Sequence, residues 1–265
     1  MPNDRPAALV TGASRGLGRE LARLFAADGH DLVITARDES DLNGLAVELQ
    51  QEHGSQVFVM PVDLAATTGA EELVDWIERE RVTIEWLVNN AGFGTYGPFV
   101  ETDLDDTLAM LRLNIIALTE LTRRLVPGMI ERGAGGVMNV ASTAAFQPGP
   151  LMAGYYASKA FVLHFTEALA EELRDTPLRV SAFCPGPTET DFQRRAKMQK
   201  SKLVEGRGMM DAAKAARIGY DGLMNGRRVV VPGAMNRMMA QSNRFAPRRL
   251  VTKIVRRIQE PTKPA

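Results

Sequence analysis

Short apolar runs rich in β-branched residues alternate along the chain with stretches whose apolar residues recur at helical spacing, and this alternation limits the fold more than any other feature. The runs with strand character are residues 7–10, 32–35, 57–59, 84–88, 137–140, 179–183 and 228–231. The clearest helical patterns are residues 16–28, 71–81, 104–126 and 154–173. Strands joined by helices form a parallel sheet covered on both faces, and right-handed crossovers favour a doubly wound arrangement. We therefore predict an α/β fold with a seven-stranded parallel sheet.

The length fits one such domain followed by an extension. The chain has 265 residues and contains no low-complexity linker and no internal repeat. We predict a single domain over residues 1–232 and a C-terminal extension over residues 233–265. The extension has one acidic residue, Glu260, and eight basic residues: Arg237, Arg244, Arg248, Arg249, Lys253, Arg256, Arg257 and Lys263. Because the whole chain is formally neutral, the extension is +7 and residues 1–232 are −7.

Composition excludes several classes of protein. Lys+Arg and Asp+Glu are both 32, which argues against a generally basic nucleic-acid binder. The single cysteine, Cys184, excludes an intramolecular disulfide and a cysteine-based metal site, and the three scattered histidines argue against zinc. The N-terminus lacks the apolar core of a signal peptide, and there is no apolar run of 18 residues. We therefore expect a soluble, cytoplasmic protein.

A glycine-rich turn follows the first predicted strand, in the sequence Thr11-Gly12-Ala13-Ser14-Arg15-Gly16-Leu17-Gly18. Glycines let the backbone turn tightly and approach a pyrophosphate, and the free N–H groups of the helix that follows attract the anion. The spacing G-x-x-x-G-x-G differs from the more general G-x-G-x-x-G pattern. Its position after the first strand favours a nucleotide site in a Rossmann-type doubly wound fold over an ordinary turn.

The end of the second predicted strand bears on the choice of cofactor. An acidic residue here binds the ribose 2′-hydroxyl of NAD, whereas an arginine suits the 2′-phosphate of NADP. We place Ala36 at the selecting position, with Arg37 directly after it and Arg15 as a second cation. Asp38 keeps NAD as the less favoured alternative, although its position suits a cap of the next helix better. These residues favour NADP(H).

Two further strand ends carry polar side chains. Asp63 follows the third strand, where it can accept a hydrogen bond from an adenine amino group or cap a local turn; spacing alone leaves both alternatives open. Asn89-Asn90-Ala91-Gly92 follows the fourth strand. The two asparagines can tie neighbouring strand ends together, and the small residues leave room for a ring.

Four residues are the candidates for catalysis. Tyr155 and Lys159 lie four residues apart on one predicted helix face, while Tyr156 lacks this spacing. Ser142 follows the fifth strand, and Asn114 lies in the long helix before it, where a locally bonded or surface asparagine is the alternative. A hydride added to a carbonyl carbon leaves an alkoxide that needs a proton. Tyrosine can supply it when a nearby ammonium and a cationic nicotinamide lower its pKa, while a serine hydroxyl stabilises the oxygen.

In their order along the chain, these motifs resemble those of the short-chain dehydrogenase/reductase family. The matching elements, within residues 7–231, are Thr11–Gly18, Asn89–Gly92, Asn114, Ser142, Tyr155-x-x-x-Lys159 and Pro185-Gly186-Pro187-Thr188. The resemblance implies Tyr155 as general acid/base, Lys159 as ribose ligand, Ser142 as carbonyl ligand and Asn114 as support for a proton relay. It also implies Asp63 at the adenine, Asn90 at a ribose and Thr188 near the carboxamide. The cofactor-binding candidates are Gly12, Ser14, Arg15, Gly16, Leu17, Gly18, Arg37, Asp63, Leu64, Asn90, Ala91, Gly92, Tyr155, Lys159, Pro185, Gly186, Thr188 and Thr190.

The family resemblance also implies a substrate lid over about residues 188–210 and a homodimer or homotetramer. Seven methionines between Phe192 and Ala240 suit a hydrophobic carbonyl or alcohol substrate, and they equally suit an ordinary core. Two other functions remain as alternatives: a catalytically silent nucleotide-binding regulator and a membrane-associated lipid-carbonyl reductase.

Residues 248–258 form a basic amphipathic helix pattern. Such a helix can lie on an anionic membrane, but we favour packing of its apolar stripe on the domain or on a second subunit.

Overall fold

The computed structural model describes residues 6–190, 192, 196, 198, 209–243 and 245–261. Seven strands form one sheet in which every neighbouring pair is parallel, in the order β3-β2-β1-β4-β5-β6-β7. The strands are β1 (Ala7–Thr11), β2 (Asp31–Thr35), β3 (Val57–Val59), β4 (Ile84–Asn89), β5 (Gly136–Val140), β6 (Arg179–Phe183) and β7 (Val229–Val230). The predicted seven-stranded parallel sheet is therefore confirmed.

Helices cover both faces of the sheet. They are α1 (Gly16–Ala27), α2 (Glu39–His53), α3 (Gly69–Arg79), α4 (Leu104–Leu111), α5 (Leu118–Arg132), α6 (Ala153–Glu172), α7 (Ala212–Met224), α8 (Ala234–Ser242) and α9 (Arg248–Gln259). Short 3-10 helices lie at Phe99–Glu101 and Thr143–Phe146, and a π-helical segment, Arg112–Ala117, joins α4 to α5. Among the described residues, no helix combines the length and the apolar character needed to cross a membrane.

Alternation along the strands divides the core into two layers. Ala8 and Val10 of β1 are buried with α1, α2 and α7, whereas Ala7 and Leu9 are buried with α3 and α5. Successive strand side chains point to opposite faces, so a strand buried on both sides is apolar at nearly every position. The pattern that predicted the strands therefore also places helices on both faces.

The structure differs from the predicted elements in two places. The predicted helix over residues 104–126 is interrupted by the π-helical segment, and α5 continues to Arg132. The helices α7 and α8 were not predicted. Asp211 does carry the signal for α7, because its carboxylate caps the helix by accepting from the Lys214 N–H.

A buried polar ladder joins the carboxyl ends of β4 and β5. Asn89 Nδ2 donates to Asn139 Oδ1 at 2.9 Å and to Thr122 Oγ1 at 3.1 Å, and Asn139 Nδ2 donates to Thr166 Oγ1 at 2.9 Å. The ladder thus links α5, β4, β5 and α6, which confirms that Asn89 ties strand ends together.

Replacing Asn139 with alanine should destabilise the fold, because Asn139 is fully buried and its loss leaves an amide N–H of Asn89 without its partner. We expect the free energy of unfolding in urea to fall by about 1–3 kcal/mol. The control is Asn43→Ala at an exposed position of α2, which should change stability by less than about 0.5 kcal/mol. Equal effects of the two substitutions would contradict a stabilising role for the ladder.

Candidate active site

A large cleft lies along the carboxyl ends of the strands. Its volume is about 2200 Å³. This exceeds the roughly 300–1,000 Å³ of a typical small-molecule site, so it has room for a dinucleotide and a second molecule. The predicted site residues line this cleft, except for Gly18 and Asn114, which lie behind its wall.

The glycine-rich turn is held in place by the end of β4. Thr11 Oγ1 donates to Val88 O and accepts from the backbone N–H groups of Asn90 and Ala91. Asn90 Nδ2 donates to the carbonyl oxygens of Thr11 and Gly12, at 2.8 and 3.1 Å. Asn90 therefore also ties strand ends together, as predicted.

Each glycine of the turn has its own structural reason. Gly12 and Gly16 have φ of +66° and +55°, which favour glycine. Gly16 also packs closely against Thr190, since an added Cβ would lie 2.9 Å from the Thr190 Cγ2. A Cβ on Gly18 would lie 2.3 Å from the Gly12 carbonyl oxygen. Gly18 therefore lets α1 pack against the turn and does not itself line the cleft.

The turn fits a pyrophosphate. The helix α1 begins at Gly16, its N-cap Arg15 makes no side-chain capping bond, and its first turn has no acidic residue. Arg15, Gly16 and Leu17 all line the cleft. The positive end of the helix dipole and its free N–H groups are thus available to an anion.

At the end of β2 the charges are arranged in a way that the sequence did not show. Arg15 donates to Asp41 Oδ2 at 2.6 Å and to Asp38 Oδ2 at 3.3 Å. Asp38 Oδ1 accepts from the Asp41 N–H, so Asp38 caps α2 as predicted. Arg37 is exposed, lines the cleft and forms no ion pair within the described part of the chain.

Asp63 serves a local turn. Its Oδ1 accepts from the Ala65 N–H at 3.0 Å, and α3 starts only at Gly69. The side chain is exposed at the cleft beside Leu64, so the turn does not remove it from the site.

Tyr155, Ser142 and Lys159 converge on the wall of the cleft. Ser142 lies beside Tyr155 and acts to lower its pKa, and Ser142 Oγ accepts from the Ala144 N–H at 3.1 Å and donates to Pro185 O at 3.4 Å. Lys159 Nζ lies 5.9 Å from the centre of the Tyr155 ring and donates to Val140 O at 2.7 Å. The end of β5 and the first turns of α6 therefore bring these residues together.

Asn114 lies in the π-helical segment and is buried. Its Oδ1 accepts from the Phe93 N–H, and its Nδ2 donates to Phe93 O and to Ser158 Oγ, both at 3.0 Å. A Cβ on Gly92 would lie 3.0 Å from Asn114 Oδ1 and 3.4 Å from Lys159 Nζ. The alternative of a surface or locally bonded asparagine is therefore wrong: Asn114 joins segments far apart in sequence, behind Lys159.

Burial controls the protonation of the two key groups. Desolvation raises the pKa of Tyr155, and the hydrogen bond to Ser142 opposes it only in part. Desolvation also lowers the pKa of Lys159 from 10.5 to about 8. The predicted lowering of the Tyr155 pKa is therefore not produced by the protein's own groups, because desolvation outweighs the effect of Ser142.

The far end of the cleft is apolar and closed by the C-terminal segment. Buried residues from the cleft wall and from α9 form one apolar cluster here: Met110, Ala144, Met152, Tyr155, Tyr156, Ala196, Met198, Val251 and Val255. Gln259 Nε2 donates to the Tyr156 hydroxyl at 2.5 Å, and the Tyr96 hydroxyl donates to Gln259 O at 2.5 Å. Tyr96, Tyr156 and Gln259 also line the cleft and were not predicted from the sequence. The apolar stripe of α9 indicated packing, but no local pattern identified its partners.

The ends of the predicted lid are held together. Thr188 forms a parallel bridge with Met210, and the Met210 N–H donates to Pro187 O at 3.1 Å. The Phe192 ring lies 5.1 Å from the Tyr155 ring. Most of the interior, including the predicted apolar positions Leu203 and Val204, lies outside the described residues.

Comparisons with known proteins show the family of the chain. A family model described as short chain dehydrogenase matches residues 6–201. A short chain dehydrogenase from Pseudocercospora fijiensis is 37% identical over 70% of this chain and 60% of its own. Sulfoacetaldehyde reductase 2 from Chromohalobacter salexigens is 38% identical over 69% of this chain and 73% of its own. The chain thus spans only about three fifths of the first relative.

The similarity extends to solved structures. A short-chain dehydrogenase from Sphingobium yanoikuyae in complex with NADPH superposes with a TM-score of 0.82. It is 32% identical in sequence, and the match covers 91% of this chain and 93% of the other.

Replacing Lys159 with methionine should change the pH dependence of stability. Between about pH 8 and 10.5 the unfolded lysine binds a proton that the folded one has lost, so wild-type stability rises with pH in this window. Below pH 8 the folded wild type carries the full free-energy cost of burying the Lys159 ammonium. The stability of Lys159→Met relative to wild type should therefore fall by roughly 3 kcal/mol from pH 8 to 10.5, at about 1.4 kcal/mol per pH unit.

Urea titrations at several pH values measure this difference. The control is Lys214→Met at an exposed position of α7, which should show no such slope. If the difference in unfolding free energy between Lys159→Met and wild type does not change with pH, burial does not disfavour the ammonium of Lys159.

Proposed function

The chain belongs to the short-chain dehydrogenase family, and from this premise we propose an NADPH-dependent oxidoreductase that transfers a hydride between the nicotinamide and a hydrophobic carbonyl or alcohol substrate. The observation that carries this proposal is the convergence of Tyr155, Ser142 and Lys159 on a cleft that also contains the glycine-rich turn.

The three converging residues have separate roles in the proposal. In reduction the Tyr155 hydroxyl donates a proton to the substrate oxygen, and in oxidation it removes one. Ser142 donates a hydrogen bond to the same oxygen and stabilises its developing charge. Lys159 binds ribose hydroxyls, and its ammonium favours the phenolate of Tyr155. Its pKa of about 8 keeps most of it charged at neutral pH.

The cofactor supplies or accepts the hydride, and the chain's own residues hold it. We assign the pyrophosphate to the glycine-rich turn, with Ser14 and Leu17, and the adenine to Asp63 and Leu64. The strand-end residues proposed to line the rest of the cofactor are Asn90, Ala91, Gly92, Pro185, Gly186, Thr188 and Thr190. Asn114 is a positioning residue that supports a proton relay through Lys159.

The arrangement at β2 supports NADPH. Both Asp38 oxygens are engaged, one by the Asp41 N–H and one by Arg15, so Asp38 is poorly placed to bind a ribose hydroxyl. Arg37 lines the same part of the cleft without a described ion pair and is proposed as the cation for the 2′-phosphate.

The apolar end of the cleft supports a hydrophobic substrate. Met152, Phe192, Met198 and Val255 belong to one apolar cluster with Tyr155. The segment from Thr188 to Met210 is proposed as the substrate lid, since its ends are bridged and Phe192 contacts Tyr155.

We also propose a homo-oligomer, a dimer or tetramer, that uses α5 and α6. Large apolar side chains on this surface are partly exposed: Ile116 by 58%, Phe161 by 39% and Ile130 by 38%. Their burial against a second copy would remove apolar area from water.

Replacing Tyr155 with phenylalanine should lower kcat/KM by about 10²–10⁴, because it removes the proton donor. The measurement is NADPH consumption across short aldehydes, aryl ketones, 3-ketoacyl thioesters, steroids and quinones. The control, Tyr156→Phe, removes the neighbouring hydroxyl that bonds Gln259 and should cost less than about tenfold. If no substrate is turned over although NADPH raises the melting temperature, the result favours the alternative of a catalytically silent nucleotide-binding regulator. Equal losses in both variants would argue against Tyr155 as the acid.

Replacing Arg37 with alanine should raise the KM for NADPH by about 10–100-fold, the size expected for a lost charge-assisted hydrogen bond. The KM for NADH, measured with the same substrate, should stay unchanged because NADH lacks the 2′-phosphate. A wild-type preference for NADH would overturn the assignment and return Asp38 to the ribose.

A further inference from the structure

The outer side of the C-terminal segment is both apolar and basic. Large apolar side chains are exposed here: Met235 by 63%, Met238 by 59%, Phe245 by 89%, Leu250 by 51% and Ile254 by 46%. The exposed basic residues between them are Arg237, Arg248, Arg249, Lys253, Arg256 and Arg257. We call these residues together the C-terminal outer surface. Exposed apolar groups interleaved with cations are unusual on a surface that meets only water.

The helix α9 shows how this surface is arranged. Its inner side buries Val251, Val255 and Gln259 against the domain, as the favoured interpretation of the sequence required. Leu250 and Ile254, four residues apart, remain exposed on the apolar edge of the helix. Packing on the domain therefore accounts for only part of the apolar stripe.

The cations are largely free to meet an outside partner. Arg256 lies 3.8 Å from Glu260. Arg237, Arg248, Arg249, Lys253 and Arg257 form no ion pair with any residue in the described ranges. Long basic side chains beside exposed apolar ones suit an interface with anionic head groups on one level and acyl chains below.

The charge distribution of the whole chain gives the surface a direction. Residues 233–265 are +7 and residues 1–232 are −7. An anionic layer therefore attracts this segment and repels the rest of the molecule, which fixes the orientation of approach.

The same surface borders the cleft. Met235 and Ile254 are exposed and also line the cleft, together with Asn236 and Met239. A surface that covers Met235 and Ile254 would therefore lie against part of the cleft lining.

We propose that the C-terminal outer surface docks on an anionic lipid bilayer, so that Met235 and Ile254, which also line the cleft, lie against it. A two-fold contact with a second copy fits less well, because it would bring the same unpaired cations together. A nucleic acid would engage the cations, but it offers no layer for Phe245, Leu250 and Met238.

Co-sedimentation with vesicles tests the proposal without any need for turnover, so its outcome is independent of the proposed reaction. The purified chain should sediment with phosphatidylcholine vesicles that contain phosphatidylglycerol, but not with phosphatidylcholine alone, and added salt should weaken the binding. No sedimentation with the anionic vesicles overturns the proposal.

Two variants and a matched control define the surface. The triple variant Arg249→Gln, Lys253→Gln, Arg257→Gln should reduce partitioning about a hundredfold. The double variant Phe245→Ser, Leu250→Ser should also reduce it, by about tenfold or more. The control triple variant Arg79→Gln, Arg123→Gln, Arg227→Gln changes the same net charge at exposed positions elsewhere and should bind as wild type does.

Thermal unfolding of each variant establishes that it is folded. Equal loss of binding in the control overturns the proposal, because binding then depends on total charge only. The proposal is also overturned if the double variant changes the oligomeric mass in solution while neither it nor the wild type binds vesicles. Binding of duplex DNA without binding of any vesicle overturns it as well.

Discussion

The junction between β1 and β4 is the constraint on which the rest of the site depends. Thr11 receives the N–H groups of Asn90 and Ala91, and Asn90 returns two hydrogen bonds to the carbonyl groups of Thr11 and Gly12. These bonds fix the glycine-rich turn against the loop that holds Gly92. Gly18 then lets α1 approach the turn at a distance that no other residue permits. Both walls of the cleft are therefore positioned relative to the same junction between β1 and β4.

Behind this junction, buried polar groups hold the second half of the site. The ladder from Asn89 through Asn139 to Thr166 ties α6 to the sheet, and α6 carries both Tyr155 and Lys159. Burial raises the pKa of Tyr155 and lowers that of Lys159, so desolvation favours the neutral form of each group, although Lys159 with a pKa of about 8 stays mostly charged at neutral pH. A charged ligand that enters the cleft therefore acts on two groups whose pKa values are already shifted by burial.

The C-terminal segment links the substrate end of the cleft to the outer surface. Gln259 joins Tyr156 and Tyr96, so α9 closes the pocket through specific hydrogen bonds as well as through apolar packing. The opposite side of the same helix is basic and partly apolar. The pocket and the outer surface are therefore separated by the diameter of a single helix.

The sequence by itself determined the sheet, most of the helices around it and the order of the motifs, because hydrophobic periodicity and glycine-rich turns are local signals. It also placed Asn90, Ser142, Tyr155 and Lys159 correctly at one edge, since parallel strands end on the same side. Only the tertiary structure decided the pairing of Arg15 with Asp38, the π-helical position of Asn114 and the contact of Gln259 with Tyr156. Each of these depends on segments far apart in the chain, and the geometry that brings them together is set by packing, which no local pattern encodes.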